Sequence, residues 1–405
     1  MVGASGGVNS TALLHILQQG IQSDHKKLLF LPIVVTVDEG AVLGKEEDQR
    51  REDICNTRRI LGKFGFSVHV VLLEDFNADE IRIFSEKDEI VFQEGSVNEL
   101  ARNFSNLKES SSKQELLQHM RRSVLIKSAQ SLNSSKVFTG ENGTVLAIEL
   151  LAGVAGGGGG SLPYRVGFRD TRHTEGEYGT NDTTEKKNGV TILRPMRDVS
   201  SKEVALYTSF HQIETNVCES FGTGEDSLYS IKKLTEEFLV GLQDGFPATI
   251  PTIFKTGDKL SLPGDEDSDG RLCCLCSGPL DTTTDQHNAL QATMFSSLVS
   301  AKGKMGLGDT ISSDVFEEVY LGEVNGVSCE DKPDECCGEG DGSCKSSKVP
   351  PLLSWKELSK SLCYSCRRTF EKIKKVEDLP LMLQKKIGVI SRREKMKSEI
   401  NDFLL

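Results

Sequence analysis

The residues best suited to chemistry stand at the start of the chain. The segment Ser5-Gly6-Gly7-Val8-Asn9-Ser10 precedes a run of helix-forming residues, 11–17. Adjacent glycines let a backbone pass close to a phosphate group, while hydroxyl donors and the positive end of a following helix favour negative charge. The spacing therefore predicts a phosphate cradle, with its contacts at Ser5, Gly6, Gly7, Asn9 and Ser10. A glycine-rich turn that only caps a helix is the alternative.

Cysteines form the second informative set. Of the 11 in the chain, four stand in two Cys-x-x-Cys pairs, Cys273 with Cys276 and Cys363 with Cys366. Two such pairs supply the four thiolates of a tetrahedral Zn²⁺ site, so these residues are the predicted metal ligands. The spacer between the pairs exceeds the usual length of about 15–20 residues, and buried thiols without a metal are the alternative.

Composition limits the classes of function. The chain has 405 residues, 37% of them hydrophobic, and a formal net charge of −12. That length allows two or three domains, and the net charge, taken for the whole chain, argues against a nucleic-acid binder. No apolar run reaches the roughly 18 residues of a membrane span, and no secretion leader is visible. We therefore expect a cytoplasmic protein with no membrane partner.

The first half of the chain alternates predicted strands with predicted helices. Strands are expected at 33–37, 67–72, 136–139 and 190–195, and helices at 11–19, 45–64, 113–131, 144–152 and 204–213. This alternation predicts an α/β fold, a parallel sheet covered by helices, with ligands above the carboxyl ends of the strands. The glycine-rich run 153–161 is expected to be a flexible loop.

Shifts in composition predict three regions. Residues 1–213 form the α/β domain, with a first strand truncated to Met1–Ala4, and 214–270 form a helical extension and linker. Residues 271–405 hold the cysteine pairs, an acidic insert at about 329–347 that is expected to be disordered, and a basic C-terminal helix. The basic helix favours contact with phosphates, although a solvated helix face explains it equally well.

Several of these motifs, taken together, resemble a known family. The cradle resembles the SGGxxS loop of PP-loop enzymes, which adenylate a substrate. The strand end at Asp38, the turn that contains Gly140, the Leu-Arg-Pro-Met segment at 193–196 and the C-terminal Cys-x-x-Cys pairs follow in the order seen in the cytoplasmic tRNA 2-thiolation family. The resemblance implies a PP-loop ATPase fold, which is Rossmann-like, with Asp38 and Gly140 beside the nucleotide site.

The departures from the catalytic pattern resemble the non-catalytic second subunit of that family. The cradle has Asn9 where catalytic members carry an acidic residue, and the turn after Gly140 lacks their paired aspartates. The sulfur-transferring cysteine before the Arg-Arg pair is replaced, because Gln118-His119-Met120 precedes Arg121 and Arg122. The chain has no cysteine between Cys55 and Cys218. A thiolase core without a thiol cannot carry a persulfide.

The resemblance implies a definite set of partners. We expect a heterodimer with a catalytic subunit, tRNA as the shared substrate, and a ubiquitin-like carrier as the source of sulfur. Zn²⁺ is the expected cofactor, ATP is expected to be used by the complex with weak or no binding here, and Arg121 and Arg122 are expected at the tRNA or partner surface. Two alternatives remain, a PP-loop adenylating enzyme that acts alone through Asp38 and Glu141, and a zinc-stabilised protein-interaction scaffold.

Overall fold

Alternating strands and helices in the sequence build a six-stranded sheet in this computed structural model. The structure describes residues 1–22, 30–78, 80–173, 189–216, 230–260, 272–280, 360–373 and 376–403. The strands are β1 (Val2–Gly3), β2 (Ile33–Asp38), β3 (Ser67–Leu72), β4 (Lys136–Thr139), β5 (Arg169–His173) and β6 (Val190–Leu193). Their order is β3-β2-β1-β4-β6-β5, and every pair is parallel except β5 with β6.

Helices cover the sheet and extend from it. The described helices are α1 (Val8–Gln22), α2 (Glu47–Gly62), α3 (Glu94–Ser105), α4 (Ser110–Ser131), α5 (Gly143–Ala155), α6 (Leu162–Val166), α7 (Ser201–Phe210), α8 (Ile231–Gly245), α9 (Thr249–Gly257), α10 (Tyr364–Thr369) and α11 (Leu381–Phe403). None of these helices is both long enough and apolar enough to cross a membrane.

Neighbouring residues of one strand serve two different cores. On β2, Val34 packs in the cluster that contains residues of α1 and α7, whereas Val35 packs with residues of α4. Successive side chains of a strand point to opposite faces, so the continuous apolar run of β2 reflects burial on both sides. The expected α/β architecture, with a parallel sheet between helices, is confirmed.

The C-terminal segments pack into the core beneath α4. Leu362, Phe370 and Leu383 are fully buried and belong to the same apolar cluster as Leu116 of α4. All the described residues fall within one compact unit, 1–284 together with 353–405. The division at 213 and 270 stays a prediction, and the acidic segment 329–347 lies outside the described residues.

Several elements differ from the sequence expectation. Helix α1 continues through Gly20 to Gln22, and α3 and α9 occupy stretches that were expected to be loop and linker. Strand β5 adds an antiparallel edge to the sheet. Tertiary packing explains α3 and α9, because Leu100 and Phe254 bury their side chains against other elements and so outweigh weak local signals.

Candidate functional site

The predicted cradle forms between β1 and α1. Gly6 has a φ of +79°, a left-handed conformation that favours glycine. The Ser10 hydroxyl donates to the Gly7 carbonyl at 3.0 Å, and the Gly7 N–H donates to Ser5 Oγ at 3.4 Å. A Cβ on Gly140 would lie 3.1 Å from the Ser10 nitrogen, so only glycine lets the turn after β4 approach the loop this closely.

The side chain of Asn9 is bound to the neighbouring turn. Asn142 is fully buried, and its Nδ2 donates to Asn9 Oδ1 at 3.0 Å. The Oδ1 of Asn142 accepts from the Val145 N–H at 3.0 Å and caps α5. Asn9 therefore helps to hold the first turn of α5 against the first turn of α1.

Asp38 lies at the carboxyl end of β2 within a buried ion pair. Arg50 of α2 donates from Nε to Asp38 Oδ2 at 2.8 Å and from Nη2 to both Glu74 oxygens at 2.9 Å. The Arg50 side chain is only 2% exposed, and its guanidinium carbon lies 4.1 Å from the centre of the Phe92 ring. The carboxylate of Asp38 therefore faces an arginine.

The other two acids of this edge have arginine partners as well. Arg121 donates from Nη2 to Glu39 at 2.8 Å, and Arg194 donates from Nε to Glu141 at 2.6 Å. Burial raises the pKa of Glu141, but the Arg194 guanidinium outweighs it and holds that pKa below its usual value. Asp38, Glu39 and Glu141 are thus each paired with an arginine.

The two arginines that were expected at a binding surface have different environments. The Arg121 side chain is 43% exposed and pairs with Glu39. Arg122 is largely buried, its guanidinium pairs with Asp170 of β5, and burial lowers its pKa well below the usual value. Only Arg121 of this pair offers a substantial surface to a partner; Arg122 packs inward.

The four predicted metal ligands meet at one point. The sulfurs of Cys273, Cys276, Cys363 and Cys366 all lie within 4.8 Å of one another, and all four residues are buried. The Cys276 and Cys363 sulfurs are 3.7 Å apart. The Gly278 N–H points at Cys276 Sγ from 3.3 Å, as a backbone donor does around a metal thiolate. The arrangement can hold one metal ion.

Cys274, between two of these residues, has a different role. Its N–H donates to the Ser361 carbonyl at 3.0 Å, which joins the two cysteine segments through their backbones. Burial raises the pKa of the Cys274 thiol to about 12, so the thiol stays protonated. It is not among the four converging sulfurs.

Positive charge surrounds the cysteine cluster. Arg172 donates to the Cys276 carbonyl at 2.8 Å, and Lys386 of α11 acts electrostatically on Cys274. Burial together with Arg122, Arg172 and Lys386 lowers the pKa of His173 to about 3. Arg122 and Arg172 share the Asp170 carboxylate, so the surroundings keep excess positive charge. Such surroundings favour an anionic cluster.

The glycine-rich run 153–161 packs against the segment that contains Cys363 and Cys366. The segment expected to be a flexible loop continues α5 to Ala155 and ends in a short 3-10 turn, Gly159–Ser161. A Cβ on Gly157 would lie 2.1 Å from Cε1 of Tyr364, the residue after Cys363, and Gly157 has a φ of +76°. Gly157 is therefore required for the close approach between this run and α10.

The chain is similar over its whole length to known proteins that share one description. A family model described as Cytoplasmic tRNA 2-thiolation protein 2 matches residues 230–368. A Danio rerio protein of that name is 30% identical over 455 residues, which cover 100% of this chain and 84% of the relative. The chain belongs to the cytoplasmic tRNA 2-thiolation protein 2 family. Family members from Xenopus tropicalis and Homo sapiens are 27% and 26% identical, each over 99% of this chain and 84% and 83% of the relative.

Among solved structures, one similar chain is described as U34-tRNA thiolase NcsA from Methanococcus maripaludis with its [4Fe-4S] cluster. It is 15% identical, with a TM-score of 0.43, over 70% of this chain and 76% of that one. Family membership gives this chain a role in tRNA 2-thiolation, with tRNA as the substrate. The relatives are named as cytoplasmic proteins, in agreement with the expected compartment.

Sequence reasoning missed a buried charged network beside the cysteine cluster. Arg165 of α6 donates to both oxygens of Glu115, at 2.6 and 2.9 Å, and from Nε to Glu149 at 2.8 Å. Lys232 also donates to Glu149, and His119 lies beside Glu115. Arg165 lies 16 residues from Glu149 and 50 from Glu115, and Lys232 lies 83 residues from Glu149, so no local pattern predicts these three ion pairs. His119 and Glu115, by contrast, are four residues apart on α4.

Proposed function

We propose that this chain is the non-catalytic subunit of a heterodimer that thiolates the wobble uridine U34 of tRNAs for Lys, Glu and Gln. A catalytic PP-loop subunit carries out the ATP-dependent activation and the sulfur transfer, and a ubiquitin-like carrier supplies the sulfur. The present chain shares the tRNA and holds the catalytic subunit against it. Catalysis tolerates little misplacement of the reacting groups, so loss of a positioning subunit should abolish activity.

The observation that carries this proposal is the arginine pairing at the cradle. Mg²⁺ bound to ATP is held by carboxylate oxygens. The carboxylates of Asp38, Glu39 and Glu141 are each paired with an arginine instead. Opening the Asp38 pair would leave Arg50, which is 2% exposed, with one fewer partner, at a high cost in free energy. The same pairing speaks against an adenylating enzyme that acts alone, since that function relies on Asp38 and Glu141.

The sulfur chemistry supports the same assignment. Among the described cysteines, Cys55 is exposed on α2 and the other five lie in the C-terminal segments. Gln118-His119-Met120 stand before the Arg121-Arg122 pair, where the resemblance places the sulfur-transferring cysteine of catalytic members, and His119 lies beside Cys366. An imidazole cannot carry a persulfide. Sulfur transfer is therefore assigned to the partner.

We assign zinc to the cysteine cluster. A tetrahedral ion with Zn–S bonds of about 2.3 Å separates its sulfurs by about 3.8 Å, close to the 3.7 Å between Cys276 and Cys363. A four-iron cluster places irons and sulfides between its thiolates and spreads them further apart. Four thiolates and one Zn²⁺ carry two negative charges, which match the positive surroundings of Arg172 and Lys386. The ion would hold the two segments together.

Arg121 is the residue that we propose for the tRNA or partner surface. Its half-exposed side chain lies at the carboxyl edge of the sheet, where the cradle also opens. Charge reversal at Arg122 would place two buried carboxylates together at Asp170 and unfold the chain. A test of surface charge is therefore informative at Arg121 alone.

The function is tested by mass spectrometry of tRNA nucleosides from cells that lack this protein. We expect loss of 2-thiouridine, restored by the wild-type chain, and no ATP–pyrophosphate exchange by the purified chain alone. Exchange by the chain alone would identify it as an adenylating enzyme, and unchanged 2-thiouridine would leave only a scaffold role.

The Arg121 surface has its own comparison. Arg121→Glu should restore 2-thiouridine poorly, whereas reversal of an exposed lysine elsewhere, Lys259→Glu, should restore it fully. The double change Arg121→Glu with Glu39→Arg re-forms the ion pair. Full restoration by that double variant would show that the pair matters and the surface charge does not.

A further inference from the structure

His119 lies between the cysteine cluster and the buried charged network. Its Nε2 is 3.8 Å from Cys366 Sγ and 3.3 Å from Glu115 Oε1. The side chain is 9% exposed, so water contributes little to its hydrogen bonding. A histidine with these two neighbours on one ring nitrogen has a restricted choice of tautomer.

The neighbours of Nε2 fix where the ring hydrogen lies. An ionised carboxylate only accepts hydrogen bonds, and so does a metal-bound thiolate. Glu115 is kept ionised by the two parallel hydrogen bonds from Arg165, and Cys366 is one of the four converging sulfurs. Nε2 therefore carries hydrogen, and its N–H lies between a carboxylate oxygen and a sulfur.

We infer that His119 is a positioning residue of the metal centre, which shares its Nε2–H between Glu115 and the Cys366 thiolate and thereby ties α4 to the bound ion. The inference rests on the proposed zinc. Donors to a metal thiolate remove part of its negative charge and disfavour its protonation and release. The Gly278 N–H does the same for Cys276 on the opposite segment, at 3.3 Å.

The position of His119 on α4 gives this contact a wider consequence. Two residues further along the same helix, Arg121 pairs with Glu39 at the carboxyl edge of the sheet. One helix thus contacts the metal centre through His119 and the cradle edge through Arg121. The bound ion should therefore limit the motion of α4 at the cradle.

The test measures zinc release from the full-length chain to a chromogenic chelator. His119→Ala should release zinc about 10-fold faster than wild type, the low end of the 10- to 100-fold effect typical of lost outer-shell partners. His119→Gln places an amide N–H near the Nε2 position and should restore most of the rate. His69→Ala, which removes a histidine of β3 that bonds to Ser67, is the matched control and should not change it.

A cobalt-substituted sample supplies a second readout. Removing a donor from a thiolate should shift the sulfur-to-cobalt charge-transfer band to longer wavelength in His119→Ala, and His119→Gln should reverse the shift. Equal release rates and equal bands in His119→Ala and wild type would overturn the inference while leaving the zinc in place. Wild-type protein that takes up no metal would instead overturn the proposed zinc site, and this inference with it.

Discussion

The cradle and the cysteine cluster differ in whether their functional groups are paired with neighbouring side chains or converge on one point. At the cradle the loop shape is kept, yet Asn9 and the acids Asp38 and Glu141 are all bound to neighbouring side chains. In the cluster, four sulfurs from segments that lie 87 residues apart converge within 4.8 Å, with donors and cations turned toward them. A motif in the sequence therefore does not establish that its groups are available, and long spacing does not prevent a site.

The largest effect is expected where the cluster loses a ligand. Cys276→Ser should release about one zinc per chain and remove hydrogen-exchange protection from α10, because structural zinc contributes about 10–16 kcal/mol in small zinc domains. Metal analysis and exchange mass spectrometry measure both.

Cys274→Ser is the matched control, since that thiol is buried in the same segment but is not among the four converging sulfurs. Its zinc content should equal that of wild type. Equal zinc content in Cys276→Ser and wild type would show that the cluster does not hold the ion, and the contrast with the cradle would no longer hold.

The buried network beside the cluster should rank second. Glu149→Gln weakens a pair whose partner Arg165 is 9% exposed on its side chain, and we expect a loss of about 3–5 kcal/mol in unfolding free energy at pH 7. Burial raises the pKa values of Glu115 and Glu149, but the positive charge of Arg165 lowers them by more. The pKa of Glu115 is therefore about 2, and that of Glu149 lies below its usual value.

The pH dependence follows from the lowered pKa values. Carboxylates of this kind stabilise the fold above their unfolded pKa of about 4.5, and the contribution is lost as pH falls through the folded value. The difference between wild type and Glu149→Gln should therefore be constant above about pH 5.5 and shrink as the pH falls below the unfolded value of about 4.5. Denaturant titrations at several pH values check this, with Glu236→Gln at an exposed pair as the control.

Substitutions in the glycine-rich run that packs against α10 should have a smaller effect on stability. Gly157→Ala places a methyl against Tyr364 and forces a positive φ on alanine, which should cost about 2 kcal/mol in unfolding free energy. Gly159→Ala, where a Cβ meets nothing within 4 Å, should change stability by less than about 0.5 kcal/mol. Equal denaturant midpoints for the two variants would show that the glycine run is not a close-packed seat.

The smallest effect is expected at the cradle. A Cβ on Gly7 meets only Ser5 Oγ, at 3.4 Å, so Gly7→Asp should fold and should lower 2-thiouridine by less than about twofold. The carboxylate would repel a phosphate, and the same change in a catalytic partner should abolish thiolation. If Gly7→Asp in this chain alone abolished 2-thiouridine with the complex intact, the cradle would be a working nucleotide site.

Strong local signals predicted much of the fold. Strands β3 and β4 begin and end where the β-branched runs do, and β2 begins at Ile33, after Pro32, because proline cannot donate within a sheet. Helix α7 begins at a capping box, in which Ser200 and Glu203 are bonded reciprocally. Helices α3 and α9 were missed because their stability comes from packing.

In the candidate sites, too, residue types were predictable from the sequence and tertiary contacts were not. Residue types alone predicted the four cysteines, since thiolates in pairs have few other uses in a reducing compartment. The family resemblance placed Asp38 beside the nucleotide site, and in the structure Arg50 of the next helix pairs with it. A side chain's type is visible in a sequence, but its partner is not.

The sequence by itself determined the alternation of strands and helices, the positions of the cradle and cysteine pairs, and the family. Each rests on local periodicity or on residue type, which require no knowledge of distant contacts. Tertiary structure decided which side chains are paired. It placed arginines against Asp38, Glu39 and Glu141, and it placed His119 beside Cys366. Those outcomes depend on how the helices pack across the sheet, because burial and electrostatic pairing join residues that the chain itself keeps far apart.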